Sequence, residues 1–209
     1  MNITRHPDDS TLMGYAAGAL PGALAAVTAA HLALCARCRD EVAIMELVGG
    51  ALVADLPLAA MERPVPPPPE IDRQRSGTPA PETIGEVPAP LVRLMGNSLD
   101  AIPWRWISPG RWLRWLPAAG GGRLHLFRCA PDVFIPEHGH HGVELTLVLR
   151  GTLADSTGRY GPGDLSDLDQ ETDHTPAAGP DGCICIVAQD NPVHWRSLIV
   201  RLARPWHGM

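Results

Sequence analysis

Eight residues, His31-Leu-Ala-Leu-Cys35-Ala-Arg-Cys38, constrain this chain more than any other stretch. In a helix, an imidazole and a thiol four residues apart lie on one side. The Cys35-x2-Cys38 spacing lets two thiolates reach one ion, and a tetrahedral zinc built on these three donors lacks only a fourth ligand. The alternative is a buried helix face on which the thiols pack as small hydrophobes. His6, just ahead of the first helical pattern, is the expected fourth ligand. The ion would then pin an N-terminal arm to the junction of the second and third helices. A helical unit of about sixty residues has little core, so a structural metal would supply much of its folding free energy.

Asp8-Asp9-Ser10 offers N-cap side chains, and Leu12, Tyr15, Ala16, Ala19 and Leu20 follow at helical spacing. Pro21 suits the first position of a second helix, which buries Leu24, Val27 and Leu34 and carries His31 in its last turns. A third helix runs from near Cys38 to about Leu56. It has two apolar faces: Val42, Met45, Leu52, Val53 and Leu56 on one, and Ile44, Leu47, Val48 and Ala51 on the other. Wet apolar area forfeits about 25 cal/mol per Å². Another chain or a later helix is therefore expected to cover the spare face, unless the three helices form a tight self-contained bundle.

The formal net charge is −6, and every cationic side chain is Arg. That balance argues against direct nucleic-acid binding and suits a basic partner. Five Cys, two of them at metal spacing, favour a reducing compartment over a disulfide scaffold. Asp8 and Asp9 precede the first apolar run, unlike a signal peptide, and no run is long enough to cross a bilayer. A cytoplasmic protein with no membrane contact is expected. Nine prolines between Arg63 and Leu91, including the run Pro66 to Pro69, exclude helix interiors and sheet ladders. Residues 63–87 read as a linker between a unit at 1–62 and one at 97–209. Pro90 to Met95 reads as a short amphipathic helix ended by Gly96, placed to fold back on the first unit or to grip a partner.

From Trp104 onward, short runs rich in Val, Leu, Ile and Trp alternate with Gly, Pro and Asp. Trp112–Leu116, Arg123–Cys129, Glu144–Leu149, Gly182–Ala188 and Trp195–Leu202 read as strands, with no room for crossover helices. Within this half, His138 and His140 share strand parity with Glu144, Thr146 and Val148. His174, beyond the Gly163-Asp164 turn, can reach the same point. Three imidazoles and a carboxylate would accept zinc, iron, manganese or nickel. His141 has the wrong parity. Cys183 and Cys185 share a strand face, read as core residues or as part of a redox element.

Both halves resemble zinc-binding anti-sigma factors of the ChrR type. His31-x3-Cys35-x2-Cys38, with His6 upstream, is similar to the signature of the zinc anti-sigma domain. His138-x-His140-x3-Glu144-x6-Gly151, with His174 as the late histidine, resembles the first cupin motif. Gly163-Asp164, His174-Thr175-Pro176 and Cys183-Ile-Cys185 are also similar to segments of this family. The second cupin motif departs from the pattern, because His174 lies eleven residues past Gly163. The resemblance implies an α+β chain in which a small zinc-binding helical bundle precedes a cupin-like antiparallel β-barrel or sandwich. It implies a structural zinc on His6, His31, Cys35 and Cys38, and a second divalent metal, expected to be zinc, on His138, His140, Glu144 and His174. It further implies no enzymatic activity but a cytoplasmic anti-sigma factor, bound one to one to an extracytoplasmic-function sigma factor and releasing it when the cupin-like domain senses singlet oxygen or an organic hydroperoxide. A mononuclear cupin oxygenase or isomerase with a helical zinc appendage is the rival reading.

Overall fold

A sheet whose strands are apolar at both parities must be covered on both faces, and that requirement arranges the molecule. In the computed structural model, which describes residues 2–57 and 83–195, three helices come first. Helix α1 spans Asp9–Ala16, α2 Gly22–Leu34 and α3 Ala36–Ala54. Asp8 is the N-cap of α1, yet its carbonyl rather than its side chain receives the Thr11 and Leu12 N–H groups, both at 3.0 Å. Pro21 stands one position before α2, as its N-cap. The first donors of α2 are satisfied from outside the helix: Gly22 and Ala23 N–H donate to the carbonyls of Gly120 and Gly121. Only glycine fits at position 22, since a Cβ there would lie 1.5 Å from the Ala119 carbonyl oxygen.

Cys35 alone separates α2 from α3, in extended conformation (φ −108°, ψ 106°). Arg39 reaches back to cap α2, its Nη1 donating to the carbonyls of Leu32 and Ala33 at 2.6 and 3.0 Å. Leu12, Leu32, Cys35, Cys38 and Val42 form a small core between the helices.

Residues 63–82 of the expected linker lie outside the described residues. In its last part, Thr83–Ile84 (β1) pairs with Val87–Pro88 (β2), and Val87 is fully buried. A 3-10 turn, Ala89–Leu91, then leads into α4, Val92–Met95, which ends at Gly96 as expected. Leu91 packs with Leu24 and Val27, so this segment folds back on α2.

The remaining strands are β3 (Arg105–Ser108), β4 (Arg111–Leu116), β5 (Arg123–Cys129), β6 (His138–Gly139), β7 (Glu144–Asp155), β8 (Gly158–Tyr160), β9 (Leu165–Leu168), β10 (Ala177–Gln189) and β11 (His194–Trp195). Residues 196–202 of the last expected strand lie outside the described residues. The main antiparallel sheet runs β3-β4-β5-β10-β7-β8, with β9 also on β7, and β6 pairs with β11. The ladder does not close on itself, so the architecture is a sandwich rather than a barrel. Strand β7 bends at Gly151 (φ 77°), where a bulge breaks its register with β10.

Alternation sends Leu124, Leu126, Leu145, Leu147, Ile184 and Ile186 to the outer face, where Ala23, Leu24, Val27 and Ala30 of α2 cover them. The opposite parity fills the interior in rows set by strand register. One row holds Leu113, Phe127 and Cys185. The next holds Trp115, His125, Val187, Thr146 and Ser166. A third holds Arg123, Gln189 and Glu144. The helical part and the sheet dock directly on each other, because α2 spends its apolar face on the sheet.

Helix α3 behaves differently. Val42 is buried and Met45 partly so, but Ile44, Leu47, Val48, Leu52, Val53 and Leu56 are 57–74 % exposed. Among the described residues nothing covers this stripe. No described helix is long and apolar enough to cross a membrane.

Leu126 is fully buried between the sheet and α2. Leu126→Ala should lower stability by about 2–5 kcal/mol, measured by denaturant unfolding of the full chain.

Candidate metal centres

The helix junction gathers the first set of donors. His31 comes from the last turn of α2, Cys35 from the break, Cys38 from the first turn of α3 and His6 from the N-terminal arm. One ligand atom from each lies within 4.8 Å of the other three. His6 Nδ1 is 3.5 Å from Cys35 Sγ and 3.3 Å from Cys38 Sγ, and His31 Nε2 is 3.4 Å from Cys38 Sγ. Because Cys35 is extended, it meets His31 across a kink rather than along one continuous helix.

The geometry sets the His31 tautomer. Its Nδ1 lies 3.0 Å from the Gly163 carbonyl, which can only accept, so Nδ1 carries the proton and Nε2 presents a lone pair to the thiols. Burial pushes this imidazole down to about 4, which keeps it neutral at physiological pH. Burial pushes the Cys38 thiol up to about 12, a direction that a cation at the site would reverse. Two sulfurs and two imidazole nitrogens suit a tetrahedral zinc, so the donor chemistry fits.

The arm bearing His6 is held by the sandwich. Asp164 Oδ1 accepts the Thr4 and Arg5 N–H groups at 2.7 and 3.0 Å, and its Oδ2 accepts Gly161 N–H at 2.8 Å. Leu165 N–H donates to the Arg5 carbonyl at 3.2 Å, and Asp8 N–H to Asp167 Oδ2 at 3.0 Å. The turn Gly161–Asp164 therefore touches both the arm and His31.

The second set lies in the sandwich. His138, His140, Glu144 and His174 are all buried, and their ligand atoms also fall within 4.8 Å of one another. His174 Nε2 is 3.1 Å from His138 Nε2 and 3.3 Å from His140 Nε2. His138 Nδ1–H donates to the Pro136 carbonyl at 2.9 Å, and His174 Nδ1–H to Asp155 Oδ2 at 2.7 Å. Those bonds leave the Nε2 lone pairs of His138 and His174 facing each other, an arrangement that a cation relieves. Burial pushes His138 down to about 4 and lowers His140. Burial works to raise Glu144, but the three imidazoles and the Gln189 amide together outweigh it and hold the carboxyl below its ordinary value. Gln189 Nε2 donates to Glu144 Oε2 at 2.5 Å and Thr146 Oγ1 to Oε1 at 3.3 Å. The mixed nitrogen and oxygen donors fit a divalent cation without selecting one.

Both expected ligand sets are brought together residue for residue. His141 stays outside, exposed, its ring 4.8 Å from that of His194. Cys129, Cys183 and Cys185 are buried free thiols of the interior, with Cys183 opposite Cys129 in register. Sequence reasoning missed Asp155, Gln189 and the grip of Asp164 on the arm. It also missed His125, which strand parity places among the interior apolar side chains of β5, a position where a histidine is itself a signal.

Residues 94–193 match the family model described as the ChrR cupin-like domain. The anti-sigma-E factor ChrR of Cereibacter sphaeroides is 38 % identical over 211 residues, covering 99 % of each chain. A crystal structure of Rhodobacter sphaeroides SigE in complex with the anti-sigma ChrR matches with a TM-score of 0.75 and 34 % identity, over 90 % of this chain and 100 % of that one. With the family's cupin-like domain in its second half and sequence likeness along almost the entire length, the protein belongs to the ChrR family of anti-sigma factors.

Proposed function

We propose that this chain is a cytoplasmic anti-sigma factor that binds one extracytoplasmic-function sigma factor and releases it under oxidative stress. The observation that carries the reading is the bare stripe of α3, five large aliphatic side chains on the helix and Leu56 just beyond it, with no cover among the described residues. A patch of that kind marks a protein interface, and the solved relative is itself seen with a sigma factor. The acidic net charge suits a basic partner.

His6, His31, Cys35 and Cys38 would hold a structural zinc, and His138, His140, Glu144 and His174 a second divalent ion. Bound at the helix junction, zinc supplies four bonds that fix the arm, the kink at Cys35 and the start of α3. The residues that link the two centres are already in contact. Strand β7 carries Glu144 at one end and, at Val148, exchanges backbone hydrogen bonds with Gly163 and Asp164. That turn holds His31 and the arm. Oxidative damage to the sandwich cluster would shift β7, loosen the turn and alter the presentation of α3. The cavity beside this cluster favours one second reading, a metal-dependent enzyme. Steady oxygen consumption by the purified chain would support it.

Three outcomes test the proposal. Leu47→Asp with Leu52→Asp, at exposed positions, should weaken sigma binding at least about tenfold in titration calorimetry while leaving the melting temperature unchanged. Undiminished binding would sink the reading. Cys35→Ser or Cys38→Ser should remove one metal equivalent and abolish sigma binding, whereas His138→Ala should remove the other and spare it, read by metal analysis and co-purification. Asp164→Ala should leave both ions bound but speed zinc transfer from the helix junction to a chromogenic chelator about tenfold, since three backbone donors lose their acceptor.

A further inference from the structure

Asp155 holds His174 with one oxygen and is itself held by the other. Its Oδ2 accepts His174 Nδ1–H at 2.7 Å. Its Oδ1 accepts Thr157 N–H at 2.8 Å, Gly158 N–H at 3.2 Å and the Thr157 hydroxyl at 2.5 Å. The Asp155 side chain is only 1 % exposed, so these donors rather than water fix it. Thr157 has a single hydroxyl proton and gives it to the carboxylate. The Tyr160 hydroxyl, 2.7 Å away, therefore donates to Thr157 Oγ1. Every donor in this chain points toward Asp155.

The far end of the chain is the N-terminal arm. The Arg5 guanidinium lies over the buried Tyr160 ring, with Cζ 5.8 Å from its centre, within range of a cation–π contact. It also packs on the turn between β7 and β8, where a Cβ at Gly158 would come within 2.6 Å of Arg5 Nη2. Arg5 belongs to neither donor set, but its neighbour His6 belongs to the helix-junction one. Arg5, Tyr160, Thr157 and Asp155 thus run without a gap from the arm to His174. The backbone contacts at Val148 use none of these side chains.

We propose that Asp155 is a positioning residue for the sandwich cluster, and that the seated arm, acting through Arg5, Tyr160 and Thr157, raises the affinity of that cluster for its ion. The element with two states is the arm, seated or released. When it is seated, Arg5 closes over Tyr160, and Asp155 holds the His174 ring with Nε2 toward His138 and His140. When it is released, water competes for the hydroxyl chain and the ring is held less firmly. Linkage makes the effect mutual. An ion at the helix junction, which ties down His6, tightens the sandwich site, and an ion in the sandwich favours the seated arm by the same factor. The inference rests on the assignment of metals to the two clusters and not on the sigma-factor reading.

The test is competition for zinc between the full metal-loaded chain and a chromogenic chelator, the sandwich ion being the equivalent lost in His138→Ala. Asp155→Asn should weaken that ion about tenfold or more. Arg5→Ala and Tyr160→Phe should each weaken it about fivefold. Arg5→Ala combined with Tyr160→Phe should lose no more than either alone, and Arg5→Ala should add nothing in the Asp155→Asn chain, because all three act through one path. Tyr160→Phe removes a single oxygen and keeps the ring, so it serves if another variant fails to fold. Leu126→Ala, which destabilises the fold elsewhere, should leave the affinity of the sandwich ion unchanged. With cobalt(II) in that site, Asp155→Asn should shift the ligand-field bands and Leu126→Ala should not. A second ion held equally by the parent chain, Arg5→Ala and Tyr160→Phe, losses that multiply in the double variant, an undiminished affinity in Asp155→Asn, or an equal loss in Leu126→Ala would overturn the inference and leave the metal assignment standing. A parent chain that takes up no second ion would overturn both.

Discussion

The covering of the sheet's outer face by α2 is the contact on which the rest of the structure depends. Leu124, Leu126, Leu145, Leu147, Ile184 and Ile186 form an aliphatic surface that no β-sheet of this size can leave in water. Ala23, Leu24, Val27 and Ala30 cover it, and the small residues among them bring the helix close. Once α2 is seated, its last turn must lie beside the Gly161–Asp164 turn. His31, the Cys35 break and the start of α3 are positioned as a consequence. The helix-junction cluster is thus built on the side of the sandwich, and its histidine is oriented by a carbonyl from the other half of the chain.

That arrangement divides the apolar surface of the helices unequally. α2 is satisfied by the sheet, and the first half of α3 by α1 and the small core around Cys38. The second half of α3 has nothing to lean on among the described residues. A helix of 19 residues is about 28 Å long, longer than the surface its neighbours offer.

Much of the chemistry was legible because it is local. Spacing alone grouped His31, Cys35 and Cys38, and strand parity alone grouped His138, His140 and Glu144. Position ahead of α1 named His6, and the resemblance supported the late histidine, His174. The docking of α2 on the sheet was not legible, since no local pattern records which of two apolar surfaces meets which. Of the two outcomes open to the short helix after the proline run, folding back or gripping a partner, the chain takes the first at Val87 and Leu91. Asp164 reads in the sequence only as turn punctuation, because its acceptors serve an arm about 160 residues away. In the sequence His125 reads as one more strand residue; the register of β5 with β4 and β10 is what places it in the interior.

The bare half of α3 carries a consequence for the chain on its own. Leu47, Val48, Leu52 and Val53, with Leu56 just past the helix and no cover among the described residues, are as adhesive to a second copy of this protein, or to any exposed groove, as to a dedicated partner. Water penalises the stripe whenever it is vacant. The solubility of this protein is therefore a property of two concentrations, its own and that of whatever occupies the helix. A cell that makes it in excess accumulates a sticky species rather than a harmless reserve.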